Sequence, residues 1–215
     1  MRSSPLALAF VSALALTACA QTPDLAEAAV NVPDEIRRMH LSVVRGLSDQ
    51  GKPQAALAFL DDYDLRFPAD PEAKAVRGEA LLRTGRRAEA ERLFQGLYDT
   101  GHRPAADFGL GQARAASGDW VAAARHFEDA VRLAPTNVRY LNNCGYALLK
   151  VGRFEEAYQT LARATQLDPK DERARNNFVL AAMRSGRTLQ AERVLAALES
   201  SERESVAAFV ARWVP

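Results

Sequence analysis

The stretch PAADFGLGQARAASGDWVAAARHFEDAVRLAPTN, residues 104–137, decides the fold because its pattern returns along the chain. Gly118 is followed five residues later by an alanine and nine residues later by a large apolar residue. Glycines recur at this place with separations of 34, 33, 34 and 34 residues, at Gly51, Gly85, Gly118, Gly152 and Gly186. The same spacing is kept by Ala56, Ala90, Ala123, Ala157 and Ala191 and by Leu60, Phe94, Phe127, Leu161 and Leu195. A fixed period of this length predicts a stack of repeated supersecondary units.

A second set of glycines, Gly78, Gly111 and Gly145, lies in the middle of predicted helices. A glycine there costs about 1 kcal/mol relative to alanine, so we expect a second helix to approach the backbone closely at each. Val44 and Val179 hold this place in the first and last units, and terminal repeats commonly depart from the pattern. Each unit is therefore expected to form two antiparallel helices that stack on the next unit.

This pattern resembles the tetratricopeptide repeat, which combines a 34-residue period, an A-x-x-x-F pattern and a closing proline. We predict five units, at residues 37–70, 71–103, 104–137, 138–171 and 172–205. Three of them close with a proline, at Pro68, Pro135 and Pro169. Unit two lacks that proline and is one residue short, so we expect an altered turn at Thr100–Pro104. The resemblance implies an all-α, right-handed solenoid whose concave face is lined by the first helix of each unit.

An apolar stripe follows the last unit. Val206, Phe209, Val210 and Trp213 lie at positions i, i+3, i+4 and i+7 of one helical face. We predict a helix at residues 206–215 that caps the open end of the solenoid. A helix that docks a partner is the alternative.

The N-terminus has the features of a bacterial lipoprotein signal peptide over residues 1–18. The apolar run at residues 6–16 is too short to span a bilayer and has the length of a signal-peptide core. The sequence LTAC at residues 16–19 resembles the lipobox, which implies cleavage before Cys19 and lipidation of its thiol. The following Ala20, in place of aspartate, implies sorting to the outer membrane. An ordinary secreted protein is the alternative.

The mature N-terminus, residues 19–36, mixes alanine with proline and acidic residues and shows no lasting apolar periodicity. We predict a flexible tether there, which would hold the folded part away from the lipid surface. If Cys19 is lipidated, Cys144 has no disulfide partner. We therefore expect Cys144 to be a free, buried thiol.

Composition and motifs argue against several function classes. The 215 residues include 28 Lys+Arg and 27 Asp+Glu, a net charge of +1, which disfavours broad nucleic-acid binding. Two cysteines exclude a multi-cysteine zinc site. The histidines lie in three different units, and no catalytic or phosphate-binding motif occurs. We predict no cofactor, no metal and no enzymatic activity. An anchored enzyme is the alternative. A double variant of His126 and Cys144 that lost an activity would support it.

Two asparagine pairs, Asn142 with Asn143 and Asn176 with Asn177, recur one period apart. The resemblance places Asn143 and Asn177 toward the concave groove, where amides can bind the backbone of an extended peptide. The predicted peptide-binding groove is completed by basic and aromatic residues of the same helices, namely Arg139, Tyr146, Lys150, Arg173 and Arg184. An acidic or C-terminal segment would be favoured there. The alternative is that the asparagines only cap local turns or fasten adjacent helices together.

The lipobox and two stretches of the repeats resemble the TadD family of Tad (Flp) pilus assembly lipoproteins. The stretches are NVRYLNNCGYAL at residues 137–148 and ERARNNFVLA at residues 172–181. The resemblance implies a lipid-anchored adaptor that helps the pilus secretin reach or assemble in the outer membrane. Its partners would be proteins, namely the secretin or another pilus assembly component. A lipoprotein scaffold for peptidoglycan hydrolases in cell-wall turnover, resembling NlpI, is the alternative.

Overall fold

The computed structural model describes residues 34–67 and 70–213, which fold into eleven α-helices without a strand. The helices are α1 (Asp34–Asp49), α2 (Pro53–Arg66), α3 (Pro71–Arg83), α4 (Arg87–Asp99), α5 (Arg103–Ala116), α6 (Trp120–Leu133), α7 (Val138–Lys150), α8 (Phe154–Leu167), α9 (Glu172–Arg184), α10 (Thr188–Ala196) and α11 (Ser200–Ala211). The predicted signal peptide, Cys19, Pro68 and the tether up to residue 33 lie outside the described residues. Residues 34–36, also assigned to the tether, belong to α1.

Helices α1 to α10 form five helix-turn-helix units that stack along one axis. From α1 to α10, each helix packs against the next one along the chain, and first helices of neighbouring units also touch, namely α1 with α3, α3 with α5 and α7 with α9. The predicted fold class, an all-α solenoid of about five repeats with a C-terminal helix, is confirmed. No helix within the described ranges is long and apolar enough to cross a membrane.

The turn inside each unit is closed by one of the periodic glycines. These glycines have a left-handed backbone, with φ between 76° and 81°. The residue after the glycine donates its N–H across the turn, as Arg153 does to the Leu148 carbonyl at 2.9 Å. This bond satisfies a carbonyl that the helix end leaves open. Because glycine alone adopts this φ without strain, the 34-residue glycine period marks the helix ends.

The turn between α4 and α5 differs from the other turns between units, which confirms the altered turn predicted there. Gly101 has a φ of 80°, and the His102 N–H donates to the Leu97 carbonyl at 2.8 Å. A left-handed glycine followed by such a hydrogen bond is also what ends the first helix of each unit, in the turn between its two helices. Elsewhere the incoming first helix is capped by a polar side chain, from Asp70, Asn137 or Asp171.

The mid-helix glycines lie directly under large residues of the next helix, so the predicted close approach is confirmed. A Cβ atom at Gly145 would lie 2.3 Å from Leu161 Cγ, which is shorter than any real contact. The same clash would occur at Gly78 with Phe94, at 2.5 Å, and at Gly111 with Phe127, at 2.7 Å. The large residue of the A-x-x-x-F pattern therefore packs on the glycine of the preceding helix.

The C-terminal helix starts earlier than predicted, at Ser200 instead of residue 206. Glu199 and Glu202 form a reciprocal capping box, which satisfies backbone N–H groups and begins the helix at that point. Val206 is 1% exposed and belongs to a cluster with Val179 of α9. The helix thus packs on α9 in the way that the first helix of a sixth unit would.

We expect Gly145→Ala to lower the free energy of unfolding by roughly 1–3 kcal/mol, because the new methyl group must displace the buried Leu161. Gly96 is the matched control, since it lies inside α4 and a Cβ atom there meets nothing within 4 Å. Gly96→Ala should raise stability by about 0.5–1 kcal/mol, because alanine is the better helix former. Urea denaturation of both variants measures the difference. A Gly145→Ala protein as stable as Gly96→Ala would contradict the close crossing.

Candidate functional site

The first helices of the units line a groove on the concave face, as the repeat resemblance implies. A cavity of about 340 Å³ opens in it and is lined by residues from α1, α3, α5 and α7 and by the start of α9. We call this cavity the central groove. Its lining includes one long polar side chain from each of these helices, namely Arg45, Glu79, Gln112, Arg139 and Arg173.

The groove residues follow the same period as the helix crossings. In each of the first four units, one residue comes directly after the position at which the second helix crosses. These residues are Arg45, Glu79, Gln112 and Tyr146. One residue further along an α-helix is a turn of about 100° around its axis. The crossing residue therefore faces the second helix, and the residue after it faces the groove.

Three buried polar atoms of the central groove have no hydrogen-bond partner among the described residues. They are Ser48 Oγ, Arg45 Nε and Gln112 Oε1, and Ser48 is only 5% exposed. A buried polar group without a partner costs free energy, so nearly all such groups in folded proteins are paired. Together these atoms offer a donor, an acceptor and a hydroxyl that does both. The backbone of an extended peptide carries the complementary groups.

An ion pair crosses the concave face from α7 to α3. Arg139 donates to Glu79 through both terminal nitrogens, at 2.9 Å and 2.5 Å, and its guanidinium lies over the Phe108 ring at 4.7 Å. A bidentate pair of this kind fixes the geometry as well as the charge. A second cavity, of about 470 Å³, shares Arg139 and Glu79 with the central groove and has Phe108 and Tyr140 in its wall. Of the basic charge that was predicted to attract a partner, the share of Arg139 is therefore balanced by Glu79.

The predicted asparagines divide between two roles. Asn142 and Asn143 line the central groove, and the Asn143 amide donates to the Arg139 carbonyl of its own helix at 2.8 Å. Asn177 is 6% exposed, and its amide donates to Asn142 Oδ1 at 2.8 Å. Asn177 therefore fastens α9 to α7, which is the role that the sequence left as an alternative. Asn176 has a buried Oδ1 without a partner in the described chain.

The remaining predicted residues lie in three places. Arg173 lines the central groove. Tyr146 lines an adjoining cavity of about 300 Å³. The Lys150 ammonium lies above two tryptophan rings near Tyr146, and the Arg184 guanidinium lies over the Phe154 ring of α8 at 4.5 Å. Of these predicted residues, Arg173 therefore belongs to the central groove and Tyr146 and Lys150 to a neighbouring aromatic cluster. Arg184 lies apart from both, against α8.

A polar cluster on α4, α5 and α6 was not predicted from the sequence. Asp107 is 1% exposed and accepts a hydrogen bond from the Tyr98 hydroxyl, and His126 Nδ1 lies 3.5 Å from its carboxylate. Burial and the hydrogen bond to Asp107 raise the pKa of Tyr98. The phenol therefore stays protonated and donates to the carboxylate, so the cluster joins three helices.

Cys144 is a buried free thiol, as predicted. It is 2% exposed within the apolar core, and burial raises the pKa of Cys144 to about 12. The thiol is therefore protonated at neutral pH and unsuited to nucleophilic attack. Among the described residues, no three His, Cys, Asp or Glu side chains group together as a metal site would require.

We expect Cys144 to resist thiol reagents in the folded protein. A Cys19→Ser variant leaves Cys144 as the single thiol, since the chain has two cysteines. Reaction with Ellman's reagent at pH 8 should be negligible in native buffer, because the thiolate is the reacting form and the raised pKa keeps it scarce. Addition of guanidinium should release one reactive thiol per chain. Stoichiometric labelling of the native protein would contradict the burial.

Sequence comparisons agree with the repeat architecture. Two family models described as tetratricopeptide repeat match the chain, one at residues 44–107 and the other at residues 114–176 and 148–212. The TPR repeat-containing protein PA4299 of Pseudomonas aeruginosa is 35% identical over 117 residues. That match covers 54% of this chain and 46% of the relative, so the chain spans about half of the relative's length.

Solved structures with the same fold include those of three further proteins. TTC0263 of Thermus thermophilus has a TM-score of 0.63 and 21% identity, with 80% of this chain and 97% of that chain covered. MamA of Desulfovibrio magneticus RS-1 has a TM-score of 0.53 and 20% identity, with 74% and 90% covered. YrrB, described as a TPR protein with an unusual peptide-binding site, has a TM-score of 0.50 and 19% identity, with 78% and 84% covered. At these identities the likeness concerns the fold alone.

Proposed function

This chain belongs to the tetratricopeptide repeat family, and we propose that it is a non-catalytic adaptor that holds a segment of a partner protein in the central groove. The observation that carries this proposal is that Arg45, Ser48 and Gln112, which line the central groove together, each have a buried polar atom without a hydrogen-bond partner in the described chain. An extended peptide would satisfy them through its backbone. YrrB, which has the same fold, is described as having a peptide-binding site, and this supports peptide binding by the present chain.

We propose further that the adaptor is anchored by lipid on Cys19 and faces the periplasm from the outer membrane. The support comes from the sequence, namely the apolar run at residues 6–16, the LTAC lipobox and Ala20. One acyl chain binds a membrane only marginally, whereas two or more give stable attachment. The resemblance implies two or three chains on Cys19.

The partner that we propose is a secretin or another component of Tad (Flp) pilus assembly. This rests on the resemblance of residues 137–148 and 172–181 to the TadD family. The first stretch contributes Asn142 and Asn143 to the central groove, and the second contributes Arg173. A scaffold for peptidoglycan hydrolases would use the same anchored groove, so identification of the partner separates the two.

Cys19→Ser should release the protein into the soluble periplasmic fraction in folded form. The thiol that would carry the lipid is lost, while the described core begins only at Asp34. Cell fractionation with immunoblotting measures the distribution, and circular dichroism of the released protein checks its helix content. The wild type in the same experiment should need detergent for release. Retention of Cys19→Ser in the membrane pellet would refute the lipid anchor.

The groove is tested by a cross-linked pull-down from the native envelope, with partners identified by mass spectrometry. The groove variant carries Gln112→Ala and Asn143→Ala. Gln112 Oε1 has no partner within the described chain and Asn143 bonds only within its own helix, so both truncations should spare the fold. Arg125→Ala is the matched control, because Arg125 is exposed on α6.

We expect the wild type and Arg125→Ala to recover a secretin and the groove variant to lose it. Recovery of wall hydrolases in place of a secretin would refute the pilus assignment and leave the anchored adaptor in place. Equal recovery of the partner by all three proteins would show that the central groove is not the binding site.

A further inference from the structure

The C-terminal end of the described chain reaches back to α7. The Trp213 ring lies 5.5 Å from the Tyr146 ring, edge-on at 89°. The Lys150 ammonium lies 5.0 Å from the centre of the Trp213 ring and 5.2 Å from that of Trp120. Trp120 in turn contacts Tyr146 at 5.6 Å. We call Trp120, Tyr146 and Lys150 the aromatic platform, and Trp213 is seated on it.

The aromatic platform is continuous with the central groove. Trp120 and Tyr146 line the adjoining cavity of about 300 Å³, together with Glu79, Gln112 and Asn143. Those last three residues also line the central groove. A peptide lying in the central groove can therefore extend onto the platform without leaving the concave face.

The segment that carries Trp213 is held by few buried side chains. Of the twelve residues of α11, Val206 is the buried one, Phe209 and Val210 pack half-buried against the core, and most of the others are exposed. Glu202 adds an ion pair to Arg175 of α9 at 3.0 Å. Segments with little buried apolar surface open at a small free-energy cost while the rest of a protein stays folded. Trp213 can therefore leave the platform without unfolding the five units.

We propose that the aromatic platform is a docking site for an aromatic side chain of the partner segment, and that Trp213 is its intramolecular occupant. The proposal rests on the proposed function, since the partner segment is taken to lie in the central groove. Trp213 itself shows which chemistry the platform accepts. An aromatic ring meets Tyr146 edge-on and presents its face to the Lys150 ammonium, and both contacts favour aromatic over aliphatic side chains. The charge of Lys150 also disfavours a basic side chain at this place.

Occupation by Trp213 sets a threshold for binding. A group attached to the same chain competes at an effective concentration in the millimolar range. An incoming ligand then binds with an affinity reduced by the fraction of time that the platform is empty. Segments that fill both the central groove and the platform displace Trp213, whereas segments that match only one of them do not.

The test measures binding of a fluorescently labelled peptide, FVARWVP from residues 209–215, by fluorescence anisotropy. The receptors are the full-length wild type and full-length Trp213→Ala. We expect the peptide to bind Trp213→Ala about tenfold more tightly or better, because the competing side chain is gone. The same peptide with tryptophan replaced by alanine should bind neither protein, and Lys150→Ala in the Trp213→Ala background should weaken binding.

Equal affinity of the peptide for the wild type and Trp213→Ala would overturn the proposal. So would equal affinity of the tryptophan-containing and alanine-containing peptides for Trp213→Ala, or the absence of binding to both receptors. Circular dichroism melting checks that Trp213→Ala is folded, and a chain that ends at Arg212 provides a second receptor with an empty platform. If the groove variant loses the partner in the pull-down but the peptide binds the wild type and Trp213→Ala equally, the aromatic platform is refuted and the proposed function stands. If the peptide binds Trp213→Ala more tightly but the groove variant still recovers the partner, the proposed function is refuted and the platform stands.

Discussion

The contact between a mid-helix glycine and a large residue of the next helix is the constraint on which the rest of the structure depends. At Gly145 and Leu161 the second helix comes so close that even a methyl group has no room. Repetition of this crossing at Gly78, Gly111 and Gly145 gives the first helices of units two to four the same rotation, and the residue after the crossing then faces the concave side. Glu79 and Gln112 reach the central groove for that reason.

In the proposed function, the central groove binds its partner through hydrogen-bonding groups and shape more than through net charge. Three of its arginines are paired with carboxylates, Arg45 with Glu72, Arg83 with Asp49 and Arg139 with Glu79. Partly exposed pairs of this kind add little to stability, but they offset the positive charge of these three arginines. In the same groove, Arg45 Nε, Ser48 Oγ and Gln112 Oε1 are left without a hydrogen-bond partner in the described chain. Recognition of an extended backbone suits an adaptor better than attraction of a strongly acidic segment.

The fold could be predicted from the sequence because the glycines that end helices and the glycines under helix crossings both recur with one period. The site could be predicted only in part. The same register points to Arg45 and Gln112, which follow the crossing residues, whereas the recurrence of the asparagine pairs points only to α7 and α9. The pairing of Arg139 with Glu79 joins residues 60 positions apart, and the contact of Trp213 with α7 passes over α9. Both depend on the curvature of the stack, which no local pattern encodes.

The claim that the partner lies in the central groove is tested most directly by site-specific photo-crosslinking in the native envelope. A photoreactive amino acid at Gln112 reports on the groove, and the same group at the exposed Arg125 of α6 reports on a surface of unit three outside it. Binding in the central groove predicts a discrete adduct with one partner protein from position 112 and none from position 125. An adduct from position 125 with none from position 112 would contradict it.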